Sequence, residues 1–446
     1  MSRFPALLGG VVALFAALAS AQAEVISLET AIAHTLQQQP ALRAAHQSTL
    51  EAQARHRVAK GAFLPTLEAR YSALQSNNPL DSFAQKLNTR SVDPAIDFTA
   101  EALNEPDTTT LYGTELNLNI PLYTGGALHA GVGGARASSR AASLGEARQK
   151  QLWAFRTRVA YFSAQTAKQG ALIADDAVAA ARAHAKDTRL LHKQGRIVIS
   201  DTLTASVYLN TMQVAREQAQ AQWQLAINAL RNTTASQDPA LDVMPWAPQT
   251  LKNNKLVLTE LEQKALQQRA DLRALKHLQT AAQAGVKVAQ SKFHPRLGVQ
   301  ASSLWYGDDP NTDEQSWRVM GVLSMNLFNG GRDKQTMHAR QNRVNARQAQ
   351  QDALKLQIKY EVRDALATIS TAARRITLTR NSLADAGLTV ALVNKRYGQG
   401  RTILIDLLQA ERTLIQARQS VLGAELDYEK GMAALALALG GEITIK

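Results

Sequence analysis

Pro121-Leu122-Tyr123-Thr124-Gly125-Gly126 returns later in the chain as Asn326-Leu327-Phe328-Asn329-Gly330-Gly331. Each stretch closes a run of alternating apolar and polar residues and opens a long segment of strong helix formers, so each reads as a strand-to-helix junction. The landmarks on either side return too. Upstream, Leu36-Gln37-Gln38 and Phe63-Leu64-Pro65 match Leu266-Gln267-Gln268 and Phe293-His294-Pro295, both at an offset of 230. Downstream, Gln194-Gly195-Arg196 with Asp201 matches Gln399-Gly400-Arg401 with Asp406, at an offset of 205. The offset changes because the first copy has the longer loop between its landmarks. A period this long means two pseudo-equivalent halves, not a short-period solenoid.

Most of each half is helical in pattern. Residues 135–193 contain no proline, and Leu152, Phe155, Val159 and Phe162 recur at helical spacing. Residues 331–397 form a second such segment. At 1.5 Å per residue each is a helix of roughly 90 Å or more. Shorter helical stretches lie near 28–62, 202–232, 258–292 and 403–439, and Pro40 is expected to kink or interrupt the first. Two short helices laid end to end match one long one, which suggests long helices packed against stacked pairs.

Four segments alternate with period two instead, near 66–74, 111–123, 296–305 and 317–328. Glu115-Leu116-Asn117-Leu118-Asn119-Ile120 does so cleanly; Met320 and Val322 blur the last. Each is about the ten residues a tilted strand needs to cross a bilayer. Apolar-out, polar-in alternation marks a membrane barrel, although a soluble sheet with one wet face alternates identically. Aromatic residues near the strand ends, such as Tyr71, Tyr123, Trp305 and Trp317, match interfacial belts and favour the membrane. Residues 75–110 are expected to be a polar loop, with a short counterpart near 307–316.

Residues 1–23 have a basic start, a short apolar core and an Ala21-Gln22-Ala23 cleavage-like end, and read as a signal peptide. The first repeat then spans 24–232, residues 233–257 form a proline-rich linker, and the second repeat spans 258–446. There is no cysteine, hence no disulfide and no cysteine to carry a lipid anchor. No apolar run beyond the signal reaches the length of a membrane-spanning helix. The charge of +13 is scattered along helical segments without aromatic interleaving, so it reads as solvated helix faces and not as a nucleic-acid surface. No hydrolase, nucleotide-binding or zinc-protease motif is present, and the nine histidines are dispersed. No enzyme activity, cofactor or metal is expected.

Four strands cannot close a barrel, because known membrane barrels have at least eight. An open edge in lipid leaves backbone groups unpaired at several kcal/mol each. Strands of several chains must therefore combine. Two chains make eight strands, whose interior side chains fill; three make twelve, the smaller arrangement that leaves a passage.

Taken together, the signal peptide, the duplicated helix–strand–strand–helix–helix order, the Pro-Leu-Tyr-Thr-Gly-Gly junction and the Gln-Gly-Arg turns resemble the TolC-type outer-membrane efflux proteins over the whole mature chain. The fold class implied is mostly α with a β-barrel contribution: a homotrimer with a twelve-stranded barrel in outer-membrane lipid and an α-helical tunnel in the periplasm. Such proteins dock with a periplasmic adaptor and an inner-membrane pump or exporter, and act as passive ducts in efflux or type I secretion. By resemblance, Gly195, Arg196, Gly400 and Arg401 lie at the periplasmic tips where adaptor hairpins touch. Asp406 matches an aspartate facing the pore axis near the closed entrance, where three copies would make a cation-attracting ring. A second family aspartate is Gln409 here. Tyr397 and Asp201 match partners in the bonds that hold the entrance shut. The arginine expected to complete those bonds is Thr402, with Arg401 beside it as a substitute. A blander role for Asp201 and Asp406 is helix N-capping. The rival reading of the chain is a soluble periplasmic coiled-coil structural protein. A general porin is nearly all strand, which this chain is not.

Overall fold

The computed structural model describes residues 25–247 and 257–441; the expected signal segment and residues 248–256 of the expected linker lie outside them. The first repeat runs β1 (Val25–Ile26), α1 (Leu28–Gln38), α2 (Pro40–Gly61), β2 (Thr66–Ser76), three short helices α3 (Pro79–Asn88), α4 (Pro94–Asp97) and α5 (Ala100–Asn104), β3 (Thr109–Tyr123), α6 (Ala127–Lys193) and α7 (Ile199–Thr234). β4 (Asp242–Val243) lies in the expected linker, and the second repeat runs α8 (Leu258–Gln268), α9 (Ala270–Gln290), β5 (Arg296–Gly307), β6 (Glu314–Ser324), α10 (Arg332–Gly398) and α11 (Leu404–Leu439). The long helices α6 and α10 have 67 residues each, about 100 Å at 1.5 Å per residue. The strand expected near 317–328 starts earlier and ends at Ser324.

Residues 77–108 are not the plain polar loop their composition suggests. Asn78, Asp93 and Thr99 cap α3, α4 and α5 with their side-chain oxygens, and Pro79 and Pro94 stand at first helical positions. Proline there loses no hydrogen bond and has its φ already set. Two of the three prolines that suggest a loop, Pro79 and Pro94, are thus helix starts.

Both junctions use left-handed glycine pairs. Gly125 and Gly126 have φ +65 and +84, and Gly330 and Gly331 have φ +66 and +78. Helix α6 begins directly after the first pair, so Gly134 lies inside it. A Cβ there would stand 3.0 Å from the Ala284 Cβ of α9, and the glycine lets the two helices approach closely.

The break between α1 and α2 falls at Gln39 (φ −63, ψ 118), as Pro40 suggests, but α8 and α9 break identically at Arg269 (φ −60, ψ 123) before Ala270. The proline ring is therefore not the common cause. Gln39 Nε2 donates to the Asn232 and Thr233 carbonyls at 3.1 and 2.9 Å, serving the last turn of α7. At the second break the backbone of Arg269 packs on Gly440, just past α11, while Arg148 Nη1 donates to the Leu437 carbonyl at 2.8 Å. Each break lies at the C-terminus of its repeat's last helix; Gln39 serves orphan carbonyls there, whereas Arg148 adds a second donor to the Leu437 carbonyl, which already accepts from Gly440 N at 3.2 Å.

The chain forms two compact units, and neither is a repeat: one comprises 25–40, 152–247 and 365–434, the other 41–151, 257–364 and 435–441. In the first unit β1 pairs in parallel with β4, and Tyr161, Phe162, Leu230 and Val243 are buried beside them. Tyr161 Oη donates to the Ile26 carbonyl at 3.0 Å. Glu425, 5% exposed, accepts from Arg380 Nη2 at 2.6 Å and Trp246 Nε1 at 2.8 Å, so its buried charge is matched.

The second unit holds one antiparallel sheet in the order β2-β3-β5-β6. Register aligns Leu67, Leu118, Ala301 and Val319 across it, and Glu68, Asn117, Ser302 and Arg318 in the next row. Adjacent rows face opposite sides, so one face is apolar and the other polar. The apolar face is bare in the chain: Leu67 is 69% and Trp317 75% exposed. Arg90, between α3 and α4, pairs with Glu314 at 3.1 Å and donates to the Gln315 carbonyl at 3.0 Å, so the helical insert reaches the far strand of the sheet.

If the apolar rows contact lipid near the midplane, Leu118→Arg is expected to cost about 2–4 kcal/mol of barrel stability. Heat-resistant oligomer on unheated gels should fall accordingly; undiminished oligomer would place Leu118 away from lipid.

Candidate functional site

The two helical hairpins of the first unit turn by the same backbone device. Gly195 (φ +71) and Gly400 (φ +67) follow α6 and α10. Gly195 N donates to the His192 carbonyl and Arg196 N to that of Leu191, at 2.8 and 2.9 Å. Gly400 N and Arg401 N do the same to Tyr397 and Arg396, both at 2.9 Å. These are Schellman turns, which need a left-handed residue after the helix.

Asp201 and Asp406 are each the third residue of the returning helix, so neither is an N-cap. The α7 N-cap is Val198, which has no side-chain capping bond. Both carboxylates lie in the first turn, where the positive end of the helix favours negative charge. Asp406 Oδ2 accepts a 2.6 Å hydrogen bond from Thr402 Oγ1. Thr402, which stands where the resemblance leads one to expect an arginine, thus engages Asp406 as a neutral donor. Arg196 and Arg401 are exposed and make no ion pair among the described residues.

Tyr397 packs on a cluster that includes Ala177, Ala181, Tyr208, Leu404 and Leu408 from α6, α7 and α11. Its hydroxyl is buried without a hydrogen-bond partner. Burial pushes the phenol's pKa up, and the charges of Asp201 and Asp187 push it further. Tyr397 and Asp201 are therefore electrostatic neighbours, and Arg401 is not drawn between them. Nearby, His184 Nε2 stands 3.7 Å from Glu411, and the Arg412 guanidinium lies 5.3 Å from the Tyr208 ring centre. Burial, reinforced by Glu411, takes Tyr208 up to about 12. Sequence reasoning missed Tyr208, Glu411 and Arg412, which carry no motif and become a group through the packing of α7 on α11.

The model of the outer membrane efflux protein family matches residues 31–236 and 261–441. The chain belongs to that family. It is similar to the cation efflux system protein CusC of Escherichia coli O157:H7, 29% identical over 192 residues, 41% of this chain and 40% of CusC. It is also similar to the solvent efflux pump outer membrane protein SrpC of Pseudomonas putida, 26% identical over 219 residues, 48% of this chain and 46% of SrpC. The matched stretch thus spans less than half of either relative. The Campylobacter jejuni CmeC outer membrane channel shares the fold, with a TM-score of 0.81 over 94% of this chain and 87% of CmeC, at 16% identity. An outer membrane efflux protein lies in the outer membrane and extends into the periplasm, which removes the soluble coiled-coil alternative. Among the described residues no helix is long and apolar enough to span a membrane, and no group of three or more His, Cys, Asp or Glu could hold a metal ion.

In the same unit, burial raises the Glu429 carboxyl to about 7, with Arg158 opposing and Glu425 adding. A raised folded-state value means the folded protein holds its proton more tightly than the unfolded chain between about pH 4.5 and 7, so stability falls as pH rises through that window. Glu429→Gln is expected to raise the thermal midpoint at pH 8 and to leave it unchanged at pH 4. Equal midpoints for variant and wild type at both pH values would remove the buried-carboxylate assignment.

Proposed function

We propose that this outer membrane efflux protein is the passive exit duct of a tripartite efflux or type I secretion system, performing no catalysis. The observation that carries the proposal is the unclosed sheet. Its outer strands β2 and β6 have no further partner among the described residues, and one face is a bare apolar surface. In hydrocarbon every backbone N–H and C=O must be paired, so the edges are satisfied when β6 of one copy meets β2 of the next. Three copies make a twelve-stranded barrel whose polar rows surround a passage.

Within this reading the Gly195 and Gly400 turns form the periplasmic end. Arg196 and Arg401, exposed and without ion-pair partners among the described residues, are free for a periplasmic adaptor, which in turn meets an inner-membrane pump or exporter. Asp406 forms a carboxylate ring on the axis, with Asp201 and Tyr397 in the contacts that close the entrance. Since Thr402 supplies a neutral hydrogen bond, the gate relies less on ion pairing than the family pattern implies. Arg401 joins it only by rearranging or across a subunit boundary.

Electron microscopy of the detergent-purified protein tests the duct. A threefold particle with one detergent-belted end is expected; a monomer that stays dispersed without detergent would overturn the assembly. Asp406→Asn tests the gate: cation preference in planar-bilayer recordings should decline, and unchanged selectivity would take Asp406 off the axis.

A further inference from the structure

Helix α6 carries Arg182, Lys186, Arg189 and Lys193 in its last three turns, at the spacing of one helix face. With Leu190 and with Leu209 of α7 they line an open groove of about 340 Å³ between the two helices. All four cations are exposed, and none makes an ion pair or side-chain hydrogen bond among the described residues. Asp187 is the one carboxylate in the lining. Four like charges on adjacent turns repel one another and destabilise the helix that carries them. An opposite charge from outside the chain would remove that cost.

The two hairpins share a backbone but not this chemistry. At the offset of 205 the equivalents of the four cations are Gly387, Ala391, Asn394 and Gly398, so the second hairpin has no such stripe. The direction of the stripe is also informative. At 100° per residue the four side chains lie about 140–200° round α6 from His184, the residue that meets Glu411 of α11. The stripe is turned away from α11, the helix that carries Asp406. If α11 lines the passage, the stripe lies on the outer, periplasmic side.

We infer that the groove between α6 and α7 is a docking site for an acidic helical segment of the periplasmic adaptor, and that the adaptor tells the first hairpin from the second by this charge. The inference rests on the duct reading above and adds to it the partner's chemistry and the choice of hairpin. The hairpin segments of a second copy are poor in the acid this groove calls for. Residues 382–400 hold Asp385 as their one carboxylate beside Lys395 and Arg396, and residues 200–217 hold only Asp201 and Glu217.

The test is photocrosslinking in cells that produce the full-length channel with its own partners. A benzophenone amino acid replaces Leu190 in the first groove or, separately, its equivalent Lys395 in the second, and the captured peptide is sequenced by mass spectrometry. Capture at Leu190 of an adaptor peptide with clustered carboxylates is expected. It should fall about tenfold or more in the Lys186→Glu, Lys193→Glu variant, while the yield of assembled channel stays the same. Capture there of this chain itself, or of a peptide without excess acid, would overturn the inference. Capture from Lys395 alone would keep adaptor docking and refute the charge-selected first groove. No capture at either position, with the channel assembled, would refute docking at the hairpins altogether.

Discussion

In the hydrocarbon of a bilayer a backbone N–H or C=O left without a partner costs several kcal/mol, and the rest of this molecule answers to that constraint. Among the described residues one chain supplies a four-stranded sheet, an apolar face with Leu67 and Trp317 bare, and two outer strands without partners. Such a sheet is unfinished by itself. The long helices on either side of it, by contrast, satisfy their own backbones and can run through water. A β part that must be completed by other copies and an α part that is complete locally make a subunit, not a finished device.

The helical part meets a different requirement, that of ending helices cleanly where they must reverse. At the turns, Schellman geometry with Gly195 and Gly400 closes the long helices. At the other end of each returning helix, last-turn carbonyls receive a side-chain donor, from Gln39 in the first repeat and from Arg148 in the second. The two repeats thus meet one backbone demand with different side chains. Arg148 comes with the buried Arg269 and the half-buried Asp271, joined at 2.6 Å. A buried arginine requires such a carboxylate, whereas glutamine does not.

Duplication explains why the halves resemble each other and also where they are free to differ. Positions that set chain direction keep their residue type: the glycine pairs at the junctions, the tip glycines, and the first-turn aspartates Asp201 and Asp406. Positions on exposed helix faces do not: Arg182, Lys186, Arg189 and Lys193 of the first hairpin correspond to the neutral Gly387, Ala391, Asn394 and Gly398 of the second. A channel assembled from such chains presents two hairpins of one fold that differ in charge along this face. Any elongated partner that must engage it in one register has a physical basis for choosing.

The sequence alone determined the duplication, the helix-and-strand classes, the alternation of the four strands and the turns at Gly195 and Gly400. Each is a local property, written in periodicity or in a residue that permits φ > 0. It also held the caps of α3, α4 and α5, in Asn78-Pro79, Asp93-Pro94 and Thr99, although the same prolines suggest a loop when taken as breakers. Tertiary structure decided the rest. The break at Arg269 has no proline to announce it and comes with the packing of Gly440. The repeats are not the compact units, because each unit gathers segments of both halves. Thr402 bonding Asp406, the unpartnered Tyr397 hydroxyl and the gathering of Tyr208, Glu411 and Arg412 depend on which helix faces meet. Periodicity tells a residue which side of its own helix it occupies; only packing supplies the neighbour on that side, and the neighbour sets its charge, its hydrogen bonds and its use.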